Sequence, residues 1–392
     1  NGGAIYSVVY NNCTGNTNIT SSSFSNNTAN SNGGAIYILN DRSIKNTNIT
    51  SSSFSNNTAN RDSGAIGISN YLGSISNVNI TNLTFNNNTA NSNGGAIGIS
   101  NSNVNITDSS FSNNTANNNG GALNIYNDKL DITSSSFSNN TANNNGGAIY
   151  IESSSANITD SIFTGNNATN AGGIHVTTTG TSVPSIFNIN IINTTFTNNN
   201  ATNCAGVRIT NGNNGVINAN ITGCIFTDNN ATYSGGAVYI TSGANGSTKA
   251  NVDNSIFIGN SVTYNGGSAI LVSSGTNGTM NVNIKSNVVA NNRDVYGVIR
   301  VQTPGVRVNY NVFLNQSDPI RSSTLSNSVN GDYNYYGYNG LRSTTNVTVN
   351  NYYVLNITNT TDLSGNYSVG DLLSFNYTVY LNGSSDSSGS DL

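Results

Sequence analysis

The sequence predicts an all-β chain wound as a parallel β-helix, and three observations carry that expectation. Two short phrases alternate along most of the 392 residues. Within them apolar residues recur with a period of two, which suits strands and not helices. Length differences between copies collect at one point of the repeat, as they do when each copy is a coil with one outward loop.

The first phrase, G-G-A-[IVL], stands at Gly2–Ile5, Gly33–Ile36, Gly94–Ile97, Gly120–Leu123, Gly146–Ile149 and Gly235–Val238. Looser versions occupy Gly64–Ile66, Gly172–Ile174, Ala205–Val207 and Gly266–Ile270. As a strand it puts Ile36 and Ile38 on one face and Tyr37 on the other. Insertions such as Thr177–Ser185 and Gly243–Lys249 follow it, which marks the next corner as the outward loop. The second strand is V-N-I-T, with Val104 and Ile106 on one face. Ile106 and Phe111 have odd spacing, so a bend must intervene if both point inward. The second phrase spans that bend: N-I-T-S-S-S-F-S-N-N-T-A-N occurs at Asn18–Asn30 and unchanged at Asn48–Asn60. Degenerate copies end in Phe85, Phe111, Phe137, Phe163, Phe196, Phe226 and Phe257, then in Val289 and Phe313, at steps of 24 to 33 residues. Each repeat reads as three short strands and three corners. About eleven such coils at roughly 4.8 Å per coil give a rod of about 50 Å.

The third corner carries the most constant residue. Three after each Phe stands Asn27, Asn57, Asn88, Asn114, Asn140, Asn166, Asn199, Asn229 and Asn260, and Asn292 follows Val289 at the same offset. A primary amide has two donors and an acceptor, so asparagines stacked at the coil spacing can form a ladder. Asparagine also tolerates the left-handed backbone that corners use. Both demands fit, but tolerance alone would admit Gly or Asp, as the preceding position does at Gly165, Asp228 and Gly259.

Composition narrows the function. Only 7% of the residues are charged, against about 25% in ordinary soluble domains, while asparagine supplies roughly a fifth. The 12 Lys+Arg against 16 Asp+Glu make no phosphate-neutralising surface, so no nucleic-acid partner is expected. No apolar run reaches the length of a membrane helix, so no direct membrane insertion is expected in this segment. The 20 Tyr and 12 Phe at a net charge of −4 argue against disorder. Stacking, which makes the core continuous, is what holds so polar a chain together.

The pairing of F-x-x-N with G-G-A-[ILV] resembles the polymorphic outer-membrane protein repeat of chlamydiae, over roughly residues 1–345. The Asn-rich, Lys-poor rendering is similar to the adhesin-like proteins of methanogenic archaea. That resemblance implies a secreted, surface-displayed, right-handed parallel β-helix with a role in adhesion or cell-wall architecture. Asp332–Tyr338, D-Y-N-Y-Y-G-Y, is similar to the aromatic segment closing the β-helix in the archaeal proteins. Tyr333, Tyr335, Tyr336 and Tyr338 are expected to cover the end coil, within a cap of about 325–345, with their hydroxyls in water. From Asn346 alternating strands look like the opening of an immunoglobulin-like β-sandwich, incomplete at residues 346–392. The chain begins mid-repeat and stops mid-pattern, so it reads as a segment of a longer polypeptide.

Candidate sites follow from the repeat. The outward column of the G-G-A strand runs Tyr6, Tyr37, Gly67, Gly98, Asn124, Tyr150, His175, Arg208, Tyr239, Leu271, Arg300. Tyr37, Tyr150, His175, Arg208, Tyr239 and Arg300 are the candidate binding residues, since flat aromatics beside donors suit sugars or a protein partner; plain strand preference also explains exposed Tyr, and His175 alone reads as a solvated residue. Basic residues gather late, at Lys285, Arg293, Arg300, Arg307, Arg321 and Arg342, as an anion-docking end or as charges discouraging edge pairing. Sequons such as those at Asn18, Asn48, Asn105 and Asn220 admit N-glycans where exposed. Cys13, Cys204 and Cys224 suggest no metal motif; Cys224 replaces an inward serine, and a Cys204–Cys224 bridge is left open. Carboxylates are scattered one per coil, with Asp108 and Asp160 in phase but two coils apart, so no catalytic residue, metal or cofactor is expected.

These features point to a non-enzymatic adhesin-like protein of the cell surface, a rigid stalk or binding surface for attachment. Its expected partners are a host or microbial surface glycan or protein, or further copies of itself. The alternatives are a structural subunit of a surface layer or extracellular filament and, more remotely, a polysaccharide lyase or hydrolase.

Overall fold

The computed structural model describes residues 1–10, 13–71, 74–179, 186–323, 329–337, 341, 344–359 and 375–382. All described strands belong to four sheets of a parallel β-solenoid, three that run its length and a fourth that spans Thr28 to Val262. One coil shows the plan. Ile36–Asp41 lies in the first sheet, Ile44–Thr50 in the second, Ser53–Ser55 in the third and Thr58–Ala59 in the fourth. Each strand pairs in parallel with its equivalents one coil away, as in Ile80↔Ile106 and Phe85↔Phe111. The sheets hold 12, 13, 14 and nine strands in that order.

The fourth sheet departs from the three-stranded coil that the repeat suggested. After the corner Asn, Thr-Ala continues as a two-residue strand, with Thr28↔Thr58 and Ala29↔Ala59 in register. Two residues are too few to display a period, so the sequence pattern hides this side. The alanine methyl faces inward and is fully buried at Ala59, Ala90 and Ala116.

The interior follows the period-two pattern. Ile97, Ile99, Val104, Ile106 and Phe111 are at most 2% exposed. Phe24, Phe54, Phe85, Phe111, Phe137, Phe163, Phe196, Phe226 and Phe257 form one stack, with ring centroids 4.8–4.9 Å apart. That spacing is the coil pitch, so aromatic stacking and backbone pairing are satisfied at the same rise.

All four corners turn through left-handed residues. One precedes each Phe, as at Ser51, Asp108 and Asp160; one follows it by two, as at Asn56, Asn113 and Asp228; one opens the G-G-A phrase, as at Gly94 and Ser63; and one follows the first-sheet strand, as at Asn101, Asn127 and Ser153. The left-handed demand after Phe thus falls on the residue before the constant Asn, which explains why Gly and Asp are tolerated there and not one position later. The second glycine of the phrase answers a different need. A Cβ on Gly95 would collide with the Gly121 carbonyl of the next coil and lie 2.7 Å from the Thr115 backbone N. We expect Gly95→Ala to lower stability by about 2–3 kcal/mol. Gly15→Ala, whose Cβ would meet only Val9 Cγ2 at 4.0 Å, should leave the melting temperature unchanged; equal melting of the two variants would refute the close-approach account.

The C-terminal end corrects the expected cap. Tyr336 is 1% exposed and stacks on Phe313 at 5.6 Å, taking the Phe position of another coil. Its hydroxyl donates to the Gly331 carbonyl at 2.7 Å and is not in water. Tyr333 instead stacks on Tyr310 outside the core, at 5.3 Å. Tyr338 lies outside the described residues, as do residues 324–328, 339–340 and 342–343. The sheets also run through position 346: Val347–Thr348 adds to the second sheet and Tyr352–Asn359 to the third, both parallel. Phe375–Leu381 then pairs antiparallel with Tyr352–Asn359. The rest of the segment expected to open an immunoglobulin-like module, 360–374 and 383–392, lies outside the described residues.

Candidate functional site

The corner asparagines form a continuous intercoil ladder. The Nδ2 of Asn27 donates to Asn57 Oδ1 at 2.8 Å, and the chain of bonds continues through Asn88, Asn114, Asn140, Asn166, Asn199, Asn229 and Asn260 to Asn292, at 2.9–3.0 Å. From Asn57 onward each Nδ2 also donates to a Phe carbonyl of the preceding coil, as Asn114 does to Phe85 at 3.1 Å. Each Oδ1 from Asn57 onward also accepts the backbone N–H of the neighbouring ladder residue, as Asn114 does from Asn88 at 3.0 Å. The amides are therefore saturated and structural. A second ladder escaped the sequence reading: Asn287 donates to Asn311 at 2.9 Å and Asn311 to Asn334 at 3.0 Å. Its signal is present, since all three sit two before Val289, Phe313 and Tyr336, where Ser stands in most earlier repeats.

The outward column of the first sheet is in register from Tyr6 to Arg300. It is not the freely exposed row that strand direction suggested. Tyr37, Tyr150 and His175 are 6%, 9% and 7% exposed. The reason is the adjacent corner, which rises above the sheet as a wall of asparagines: Asn145 donates to Asn119 at 2.7 Å, Asn170 to Asn145 at 3.0 Å and Asn203 to Asn170 at 3.2 Å.

Within this strip the large side chains satisfy one another. His175 Nδ1 meets Asn145 Oδ1 at 3.1 Å and Nε2 meets Thr210 Oγ1 at 3.4 Å. The first contact places the proton on Nδ1 and leaves Nε2 to accept the Thr210 hydroxyl. Burial, with the Arg208 charge adding to it, holds the His175 pKa down at about 3, so the ring is neutral and is not the solvated residue expected. Arg208 donates through Nη1 to Asn170 Oδ1 at 2.7 Å and lies 5.1 Å over the Tyr239 ring. Tyr239 meets Ser273 Oγ at 3.0 Å. The Tyr150 hydroxyl donates to Glu152 Oε2 at 3.0 Å, and burial with the Glu152 charge pushes its pKa up. Arg300 donates to Asn265 Oδ1 at 2.7 Å; it and Arg321 each stand against the Tyr296 ring, at 5.5 and 5.6 Å.

An opening lies where the column is glycine. Between Tyr37 and Asn124, around Gly98, is a hollow of about 160 Å³ lined also by Asp62, Asn93, Ser69, Ser100 and Tyr126. A missing side chain carries no chemical signal of its own, so in the sequence Gly67 and Gly98 stand out only as members of the column.

Other expected features are placed as follows. No disulfide joins Cys204 to Cys224; both are free thiols, and Cys224 faces inward, fully buried. Burial pushes the Cys204 and Cys224 thiols up to about 12 and about 11. Among the described residues no group of three or more His, Cys, Asp or Glu is arranged to hold a metal ion. No described helix is long and apolar enough to cross a membrane. Asn18, Asn48, Asn105 and Asn220 point outward from the second sheet, where Asn48 donates to Asn18 at 2.9 Å. Of the late basic residues, Arg321 pairs with Asp318 at 3.5 Å, and Arg342 lies outside the described residues.

Neither a curated protein nor a solved structure matches the chain. Five segments, residues 21–39, 82–100, 108–126, 134–152 and 223–241, match the Chlamydia polymorphic membrane protein repeat, and each runs from the corner before Phe through the G-G-A strand. The chain is thus a parallel β-solenoid carrying repeats of that type over about a quarter of its length.

Proposed function

We propose that this protein is a non-enzymatic, adhesin-like rod of the cell surface that presents the walled strip of its first sheet to glycans or proteins of other cells. The observation that carries this reading is the strip itself. Tyr, His, Arg and Asn side chains line it in register across successive coils, while the inward positions of the same strands stay aliphatic. The polymorphic membrane protein repeats support a surface location, and a stacked solenoid supplies the stiffness of a stalk. On the same reading the Asn-rich rendering supports a likeness to methanogen adhesin-like proteins, and an immunoglobulin-like module follows the last parallel strand of the solenoid.

Adhesion of the purified chain to cells and to a glycan array tests the reading. Binding by monomer that weakens when Tyr37, Tyr150 and Tyr239 are replaced together by Ala is the expected result. Recovery only as ordered polymers with no glycan or cell binding would overturn it in favour of a structural subunit. Release of sugar from wall or plant polymers would overturn it in favour of an enzyme.

A further inference from the structure

The geometry points to the hollow around Gly98 as a binding site for one neutral pyranose unit, a hexose or N-acetylhexosamine, of a surface glycan. The inference rests on the adhesin reading and narrows it to a place and a ligand class. Its volume of about 160 Å³ equals that of about five waters at roughly 30 Å³ each. That is room for a single sugar ring and not for two. The walls set the same limit. Tyr37 closes one axial end and Asn124 with Tyr126 the other, on the first and fourth of the four successive coils that hold Tyr37, Gly67, Gly98 and Asn124.

The lining has the chemistry that sugars require. The Tyr37 hydroxyl is committed to Ser69 Oγ at 3.1 Å, which fixes that ring against the strip. Tyr126, 39% exposed, stands beside the hollow as a flat apolar surface with a polar tip. Asp62 is held from behind: its Oδ1 accepts the Asn93 N–H and Nδ2, both at 3.0 Å. Among the described residues no bond engages its Oδ2, so a carboxylate oxygen remains for a pair of sugar hydroxyls, a charge-assisted acceptor stronger than a neutral one. The carboxylate also selects by sign, because a uronic or sialic acid would bring a like charge against it. Floor space comes from glycine and serine. A Cβ on Gly98 would collide with Ser63 Oγ, so glycine there keeps both the wall and the void. The other large residues of the strip have their polar groups bonded to protein, whereas this hollow keeps Asp62 Oδ2 without a bond among the described residues.

The test uses the full chain and a panel of methyl glycosides: glucose, galactose, mannose, N-acetylglucosamine, N-acetylgalactosamine and glucuronic acid. Saturation-transfer NMR and calorimetry should detect at least one neutral member and not the acid. Ser100→Phe fills the hollow in a column that already carries Tyr126 one coil on, and Asp62→Asn keeps the volume while removing the charge. Each should weaken binding about tenfold or more, at unchanged melting temperature, and Asn105→Ala on the second sheet should not. Absence of binding by every neutral glycoside, preference for the acid, or indifference to both Ser100→Phe and Asp62→Asn would overturn the site. Cell adhesion that persists in Ser100→Phe would sink this site and leave the adhesin reading intact, since attachment would then use another part of the rod.

Discussion

Asn114→Ala should destabilise the rod by about 2–4 kcal/mol, well beyond the typical ~1 kcal/mol of a point mutation. The substitution removes the acceptor of both the Asn88 N–H and its amide, at 3.0 and 2.9 Å, and the donor to the Phe85 carbonyl and Asn140 Oδ1, at 3.1 and 3.0 Å. Asn88, Phe85 and Asn140 are fully buried, so water cannot replace the lost partners; the Asn88 N–H is orphaned outright, at a cost of about 1–3 kcal/mol, while Asn88 Nδ2 and Asn140 Oδ1 each keep one bond, to the Phe54 carbonyl and to the N–H of residue 114. The comparison variant is Asn113→Ala. Asn113 is exposed and left-handed at φ 56°, so its replacement costs the backbone preference, about 1 kcal/mol, and one solvent-exposed hydrogen bond to Asn86 Oδ1, which water replaces. Urea midpoints for the two variants decide the matter. If they shift alike, the ladder is ornament and corner conformation alone shapes the repeat.

Asp128 should make the rod more stable in mild acid than at neutral pH. Its side chain faces inward at the corner between the first two sheets, in a column that has Ser102 and Ser154 on either side. Oδ1 accepts the Ser102 N–H, while Oδ2 is buried with no partner. Burial, only partly opposed by the backbone hydrogen bonds, pushes its pKa up to about 8, from 3.8. A raised folded pKa means that the native state holds the proton when the unfolded chain has released it. Stability contributed by this group is therefore full below about pH 4 and is lost as pH rises toward 8. The slope approaches about 1.4 kcal/mol per pH unit within that window. Asp128→Ser, which restores the serine of its neighbours, should flatten the slope and raise the urea midpoint at pH 7.5 above that of the unaltered chain. Parallel pH profiles for the two proteins would show that the carboxylate is charged and solvated after all.

What the sequence disclosed depended on whether a residue repeated with its chemistry intact. The ladder was legible because Asn27 through Asn292 keep one residue type at one offset from Phe, and an amide at a fixed interval has few other uses. The Phe stack and the inward Ile and Val were legible because period two is a property of any strand. The fourth sheet was not, since Thr58–Ala59 is too short to have a period. Tyr336 was read as a wet cap because its neighbours Tyr333 and Tyr335 share its type, although its place two after Asn334 was that of a Phe. The strip of the first sheet failed differently. Alternation told which way His175 and Tyr150 point, but exposure depends on how high the next corner stands, and Asn145 and Asn170 close over them. The hollow at Gly98 was invisible for the converse reason: it is made of what neighbouring side chains leave unfilled.

Three continuous columns break within one turn of the solenoid. The Phe stack is interrupted by Val289, the first ladder ends at Asn292 while the second begins at Asn287, and the fourth sheet stops at Ser261–Val262. Elsewhere each coil is tied to its neighbours by a ring, an amide and a four-sided backbone frame; at this joint the ring contact is lost and the fourth side thins to the single bridge Ser261↔Arg293, while one amide still crosses each step, Asn260 to Asn292 and then Asn287 to Asn311, at 2.9 Å. Nearest-neighbour coupling is what spreads cooperativity along a repeat array. The rod is therefore two mechanical bodies in series, a long four-sided shaft and a short three-sided collar. Under load or heat the seam between Phe257 and Phe313 is where one can melt while the other holds.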